Sequence, residues 1–127
     1  MLHAILCYKP PGEVEGWTKD HDDAVMAKLL VVEQKLTKAG KLGPAVRLMP
    51  TAAARTLRKN DPVVVTDGPF AETKEHLLGF YLVDCATLDE AIEAAKDLGR
   101  ANPGGSYEVR PVAVYHPGTA EAVAGHR

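Results

Sequence analysis

The sequence predicts an α+β domain: one antiparallel sheet with two helices on one of its faces. Strand-length apolar runs occur at residues 2–8, 62–66, 76–85 and 107–115, each bounded by Pro, Gly or charged residues. Two stretches with helical spacing of apolar residues lie between them. The resulting order, β-α-β(β)-β-β-α-β, is the ferredoxin-like arrangement. At 127 residues the chain is expected to form one domain, with a core large enough to need no staples.

Each element has a local cause. Residues 2–8 (LHAILCY) read as the first strand, closed by Lys9-Pro10-Pro11-Gly12. Thr18 or Asp20 is suited to cap a helix starting near Asp22. Val25, Leu29, Val32 and Leu36 fall on one face of that helix. Burying each contributes about 1.5–3 kcal/mol, so the stripe must be covered. Gly40 is placed to end the helix in the left-handed region. Residues 45–49 form a weaker strand cut by Pro50, residues 51–54 are ambiguous, and residues 56–58 form a short strand.

The second half is more strongly patterned. Residues 62–66 are expected to pair antiparallel with residues 76–85. Thr87 and Glu90 make a T-x-x-E capping box, followed by the stripe Leu88, Ala91, Ile92, Ala95 and Leu98. Asn102-Pro103-Gly104-Gly105 breaks the chain before the last strand, and residues 117–127 lack periodicity and read as a loose tail.

These strands are apolar on both faces. Phe80 and Leu82 oppose Tyr81 and Val83, and Val63 and Val65 oppose Val64. A half-exposed sheet alternates apolar and polar residues instead. Two helices cover only one side, so a second copy of the chain is the simplest cover for the other. The expected assembly is a homodimer that forms a two-sheet α/β barrel.

Composition narrows the function. A net charge of −2, with scattered Lys and Arg, argues against direct nucleic-acid binding. Cys7 and Cys85 lie in apolar runs with no CxxC spacing, which favours reduced, buried thiols. No signal peptide and no membrane-length apolar segment is visible, so a cytoplasmic location is expected. There is no P-loop, GxGxxG, HExxH or GxSxG, and no cofactor is expected.

Residues 63–85, VVVTDGPFAETKEHLLGFYLVDC, are the most distinctive stretch. With the AVRLMPTAAARTLR segment before it and the EVRPV strand after the second helix, this stretch resembles the DGPF subgroup of the YCII-related family. Residues 1–116 follow that family's order. The resemblance implies a dimeric α/β barrel from bacteria. It also implies a link to extracytoplasmic-function sigma factors, whose genes often accompany those of DGPF proteins. Leu78 departs from the family pattern, which more often has a second glycine before Gly79. Some members are thought to use a His–Asp pair with the acid near the end of the first helix, where Lys38-Ala39-Gly40 has none.

The candidate site residues each carry two readings. Asp67-Gly68-Pro69 explains itself as a turn, or it presents Asp67 and the Phe70 ring to a cleft. Glu72 and His76 are four apart, so a carboxylate orients an imidazole base, or the charged run is a solvated face. Asp20, Asp22 and Asp23 are explained by helix capping and the macrodipole, and no metal is expected there. Arg110 either pairs with Glu108 or holds an anionic ligand. Tyr8, Tyr81 and Trp17 are candidate pocket walls, although for Trp17 a loop plug over the core is the favoured reading. Two functions follow. One is a barrel that binds a small polar or aromatic molecule, with His76 as base, Asp67 orienting or acidic and Arg110 anchoring charge. The other is a non-enzymatic regulatory module linked to a sigma factor.

Overall fold

A computed structural model describes residues 1–71 and 74–124. Its elements are β1 (Leu2–Lys9), α1 (Lys19–Lys38), β2 (Leu42–Arg47), a 3-10 turn (Thr51–Ala53), β3 (Arg55–Arg58), β4 (Val64–Asp67), β5 (His76–Asp84), α2 (Leu88–Ala101), β6 (Ser106–Pro111) and α3 (Ala120–Val123). Four strands form one sheet in the order β2-β5-β1-β6, with every neighbouring pair antiparallel. This α+β arrangement is compatible with the ferredoxin-like fold. Among the described residues, no helix is long and apolar enough to cross a membrane.

Both long helices begin and end for local reasons. The Thr18 hydroxyl accepts the His21 N–H at 3.1 Å, so α1 starts at Lys19 rather than near Asp22. At its other end Gly40 has φ +70. The Gly40 N–H donates to the Thr37 carbonyl at 3.0 Å and the Lys41 N–H to the Leu36 carbonyl at 2.9 Å, which is a Schellman motif. At α2 the Thr87 hydroxyl accepts the Glu90 N–H at 3.1 Å, and the Glu90 carboxylate accepts the Ala86 N–H at 3.0 Å. Glu90 also pairs with Lys41 at 2.6 Å, tying the start of α2 to the turn after α1.

The core lies between the helices and one face of the sheet. Ile5, Tyr81 and Val83 from the strands meet Val25, Leu29 and Leu36 of α1 and Ala91, Ala94, Ala95 and Leu98 of α2. The small α2 residues let that helix lie close to the sheet. Leu88 is an exception to the expected stripe: it stands at the first turn and is exposed.

The hairpin pairing differs from expectation. β4 does not pair with β5; it pairs with β3 in a separate two-stranded sheet, in the register Arg55↔Asp67 to Arg58↔Val64. A strand has only two edges, and those of β5 are taken by β1 and β2. Val63, Val64 and Val65 are consequently exposed in the single chain. β2 begins earlier than expected, at Leu42. β6 stops at Pro111, which has no N–H to continue the ladder, although the Val112 N–H still reaches the Leu2 carbonyl at 3.0 Å. Within the tail, Thr119 caps the short helix α3.

Among the described residues, neither long helix covers the other face of the main sheet. Gly79, Tyr81 and Val83 alternate inward along β5, while Phe80 and Leu82 point to the open side and stay partly exposed. Leu6 lies opposite Phe80 and Ala4 opposite Leu82, so an apolar strip runs across the two central strands.

Candidate functional site

A chamber of about 270 Å³ lies between α1 and the helix-facing side of the sheet. Strand parity fixes part of its polar wall: Cys7 and Lys9 share the inward face of β1 with Ile5, and Tyr81 shares that of β5 with Gly79. Trp17 closes one end from the loop before α1, and Glu33 and Arg47 contribute from α1 and β2. Val25 and Leu29 supply apolar lining. Gly79 itself adds no side chain to the sheet side of the chamber.

The chamber's charges differ in how well they are matched. Arg47 reaches both oxygens of Asp22, at 3.1 and 3.4 Å. Burial raises the Tyr81 hydroxyl above the ordinary phenol range, and the nearby Tyr107 and Glu33 push the same way. Burial pushes the Cys7 thiol up to about 11, against smaller opposing effects of a Tyr107 hydrogen bond and Lys9. Cys7 is therefore a thiol, not a reactive thiolate, at neutral pH. Lys9 is only 5% exposed. Its ammonium donates to the Pro103 carbonyl at 2.6 Å and more weakly to the Gly104 carbonyl at 3.5 Å. It also lies 4.8 Å from the centre of the Trp17 ring. Burial lowers its pKa, opposed by the more distant Glu13 carboxylate.

The DGPF turn builds a second feature, a groove of about 510 Å³ that brings together Tyr8, Phe70 and His76 beside Met49, Pro50 and Pro69. Gly68 adopts φ +91. Its N–H donates to the Ala54 carbonyl at 2.8 Å, and its carbonyl accepts the Thr56 hydroxyl at 2.9 Å. Both ring nitrogens of His76 are buried and lack a hydrogen-bond partner among the described residues. Glu72, expected to orient His76, lies outside the described residues.

The sequence-predicted residues thus divide. Tyr8, Phe70 and His76 share the groove; Tyr81 and Trp17 share the chamber. Asp67 lines neither, and its exposed carboxylate pairs with Arg55 at 3.0 Å. Arg110 also lines neither; its Nε donates to the Glu108 carboxylate at 2.7 Å on the open side. At the start of α1, Asp22 pairs with Arg47 and Asp23 with Lys19 at 2.7 Å. Among the described residues no group of His, Cys, Asp and Glu is placed to hold a metal.

Sequence reasoning missed Lys9, Cys7, Glu33 and Arg47 as chamber residues. Two signals were available. Lys9 has the same strand parity as Ile5 and Cys7, and Glu33 falls four residues after Leu29, within the apolar stripe of α1.

The raised groups predict alkaline sensitivity. For Cys7, Tyr107 and Tyr81 the folded state holds the proton longer than the unfolded state does. Their contribution is intact below the unfolded values of 9.0 and 10.0 and is lost as pH rises through the folded values, about 11 for Cys7 and about 12 for Tyr107. Lys9 acts oppositely, since its burial cost is relieved as pH approaches its ordinary 10.5. After solvent screening, each half-buried raised group is worth roughly 1–2 kcal/mol, so a net loss is expected. Tm should fall by several degrees between about pH 8 and pH 11, and less in Tyr81→Phe. An unchanged Tm across that window would contradict the burial of these groups.

Fold and chamber together define a small α+β protein with one antiparallel sheet and a cavity beneath its first helix. The chain belongs to the YCII-related domain family, whose sequence pattern matches residues 1–116. It is also 58% identical over 120 residues to an uncharacterized protein of Rhizobium meliloti (strain 1021), an alignment covering 93% of this chain and 97% of that one.

Proposed function

We propose that this protein binds a small, largely apolar or aromatic molecule in the chamber beneath α1, and that it works as a homodimeric α/β barrel. The observation that carries the binding reading is the chamber itself: a space of about 270 Å³ with apolar walls into which a few polar groups converge. Its size suits a ligand of one ring. Trp17 and Tyr81 supply flat walls, and Lys9, Glu33 and Arg47 supply polar contacts. Burial keeps Tyr81 protonated through the neutral range, so its hydroxyl acts there as a hydrogen-bond donor rather than a base. The dimer is supported by the uncovered apolar strip on the opposite face of the sheet.

Trp17 is the chain's only tryptophan and lines the chamber, so its fluorescence reports on occupancy. Titration with ring-sized compounds should give a saturable change in the wild type. In Ala45→Phe, which puts a ring into the chamber wall, affinity should fall about tenfold or more. Equal affinity in that variant would move the ligand elsewhere. A fluorescence change with no compound would leave the partner-binding reading, with its sigma-factor link, as the better account.

A further inference from the structure

We propose that the chamber's ligand is an anion, a small aromatic or branched aliphatic monocarboxylate whose carboxylate docks on Lys9. This deepens the binding reading above and rests on it. The argument is one of charge matching. Arg47 is already neutralised by two contacts to Asp22. Lys9 differs: it is 5% exposed, and among the described residues no carboxylate lies within ion-pair distance of its ammonium. Its neighbours are two backbone carbonyls and the face of Trp17.

A buried ammonium held only by neutral groups is costly, and an opposite charge relieves that cost. Glu13 does not supply it. Its Oε2 is buried without a partner, and the carboxylate stays beyond ion-pair distance of Lys9. Lys9 and Trp17 both line the chamber, so a ligand carboxylate that meets the ammonium sets its apolar body beside the indole. Such a charge-assisted bond in a water-poor site is stronger than its neutral counterpart. Val14, Val25 and Leu29 in the lining suit a ring or a branched chain, while the Glu15 and Glu33 carboxylates, which also line the chamber, disfavour a second negative charge.

Benzoate, benzamide and benzylamine have the same ring and differ in charge, and each can be titrated against Trp17 fluorescence. Wild-type protein should prefer benzoate to benzamide by about tenfold or more and should bind benzylamine worst. Lys9→Met should erase the benzoate preference while keeping benzamide binding, and Lys9→Arg should retain it. Because Lys9 also holds the loop at Pro103, the wild-type ranking stands as a test that needs no variant. Equal binding of benzoate and benzamide overturns the anion assignment but leaves the chamber a ligand site. Tightest binding of benzylamine would assign the polar end to Glu33 instead, and no binding by any of the three overturns both readings.

Discussion

Replacing Gly79 by alanine is expected to destabilise the protein by about 3 kcal/mol or more, far beyond a typical surface substitution. A Cβ at this position would sit 2.3 Å from the Val46 carbonyl oxygen and 3.3 Å from the Arg47 Cα. Both are backbone atoms of the neighbouring strand, so no side-chain rotation relieves the overlap. β2 would have to move off β5, breaking the pairing Val46↔Phe80 and Arg47↔Gly79. The same movement would open the chamber, because Ala45, Val46 and Arg47 form its wall on that side. Urea unfolding should show a much lower midpoint, and ligand binding should weaken with it. Gly99→Ala is the matched control. Gly99 lies within α2, where an added Cβ meets only the Tyr107 ring at 3.8 Å. That change should stabilise by about 0.5–1 kcal/mol through helix propensity. If Gly79→Ala behaved like the control, the close approach of β2 to β5 would be disproved.

The contrast between these glycines shows which features a sequence displays. The end of α1 and the start of α2 were legible because each depends on residues a few positions apart, Gly40 in the one and Thr87 with Glu90 in the other, whereas the start of α1 was legible only as a choice between Thr18 and Asp20. The partner of β4 was not, because pairing depends on which edges remain free once β1 and β2 have taken both sides of β5. Proximity in sequence favoured the wrong neighbour. The candidate site divides along the same line. Tyr81 was legible as a wall, since large aromatic residues within strands seek cover, whereas Trp17 was read first as a loop plug over the core and lines the chamber instead. Tyr8, Phe70 and His76 were each picked out, but their meeting in one groove is a tertiary fact. Lys9 was read as the polar stop after a strand. Its burial becomes visible only once the loop at Pro103 and Gly104 folds over it.

Phe80→Arg is expected to convert a dimer into a folded monomer. Phe80 faces away from the helices, opposite Leu6 and beside Val46, at the centre of the uncovered strip. In the single chain Met49, Leu57, Val63 and Val65 are also exposed. Soluble monomers seldom leave contiguous apolar patches larger than a few hundred Å² open to water. A second copy offers a surface of the same chemistry, and two sheets packed face to face about 10 Å apart would bury both strips. An arginine at the centre of a two-fold interface places two like charges in a desolvated seam. The cost, about 3–5 kcal/mol for a buried charge without a partner, would weaken association by roughly two to three orders of magnitude. The helix-facing core does not include Phe80, so far-UV circular dichroism should stay unchanged while the solution mass halves. Arg110→Ala serves as the comparison, because its guanidinium is exposed and already paired with Glu108 at the edge of the face, and it should leave the mass unchanged. Wild-type protein that sediments as a monomer at micromolar concentration would remove the barrel altogether. A Phe80→Arg variant that remains dimeric would move the interface off this face, most plainly to the β3–β4 hairpin, whose exposed valines also need a cover.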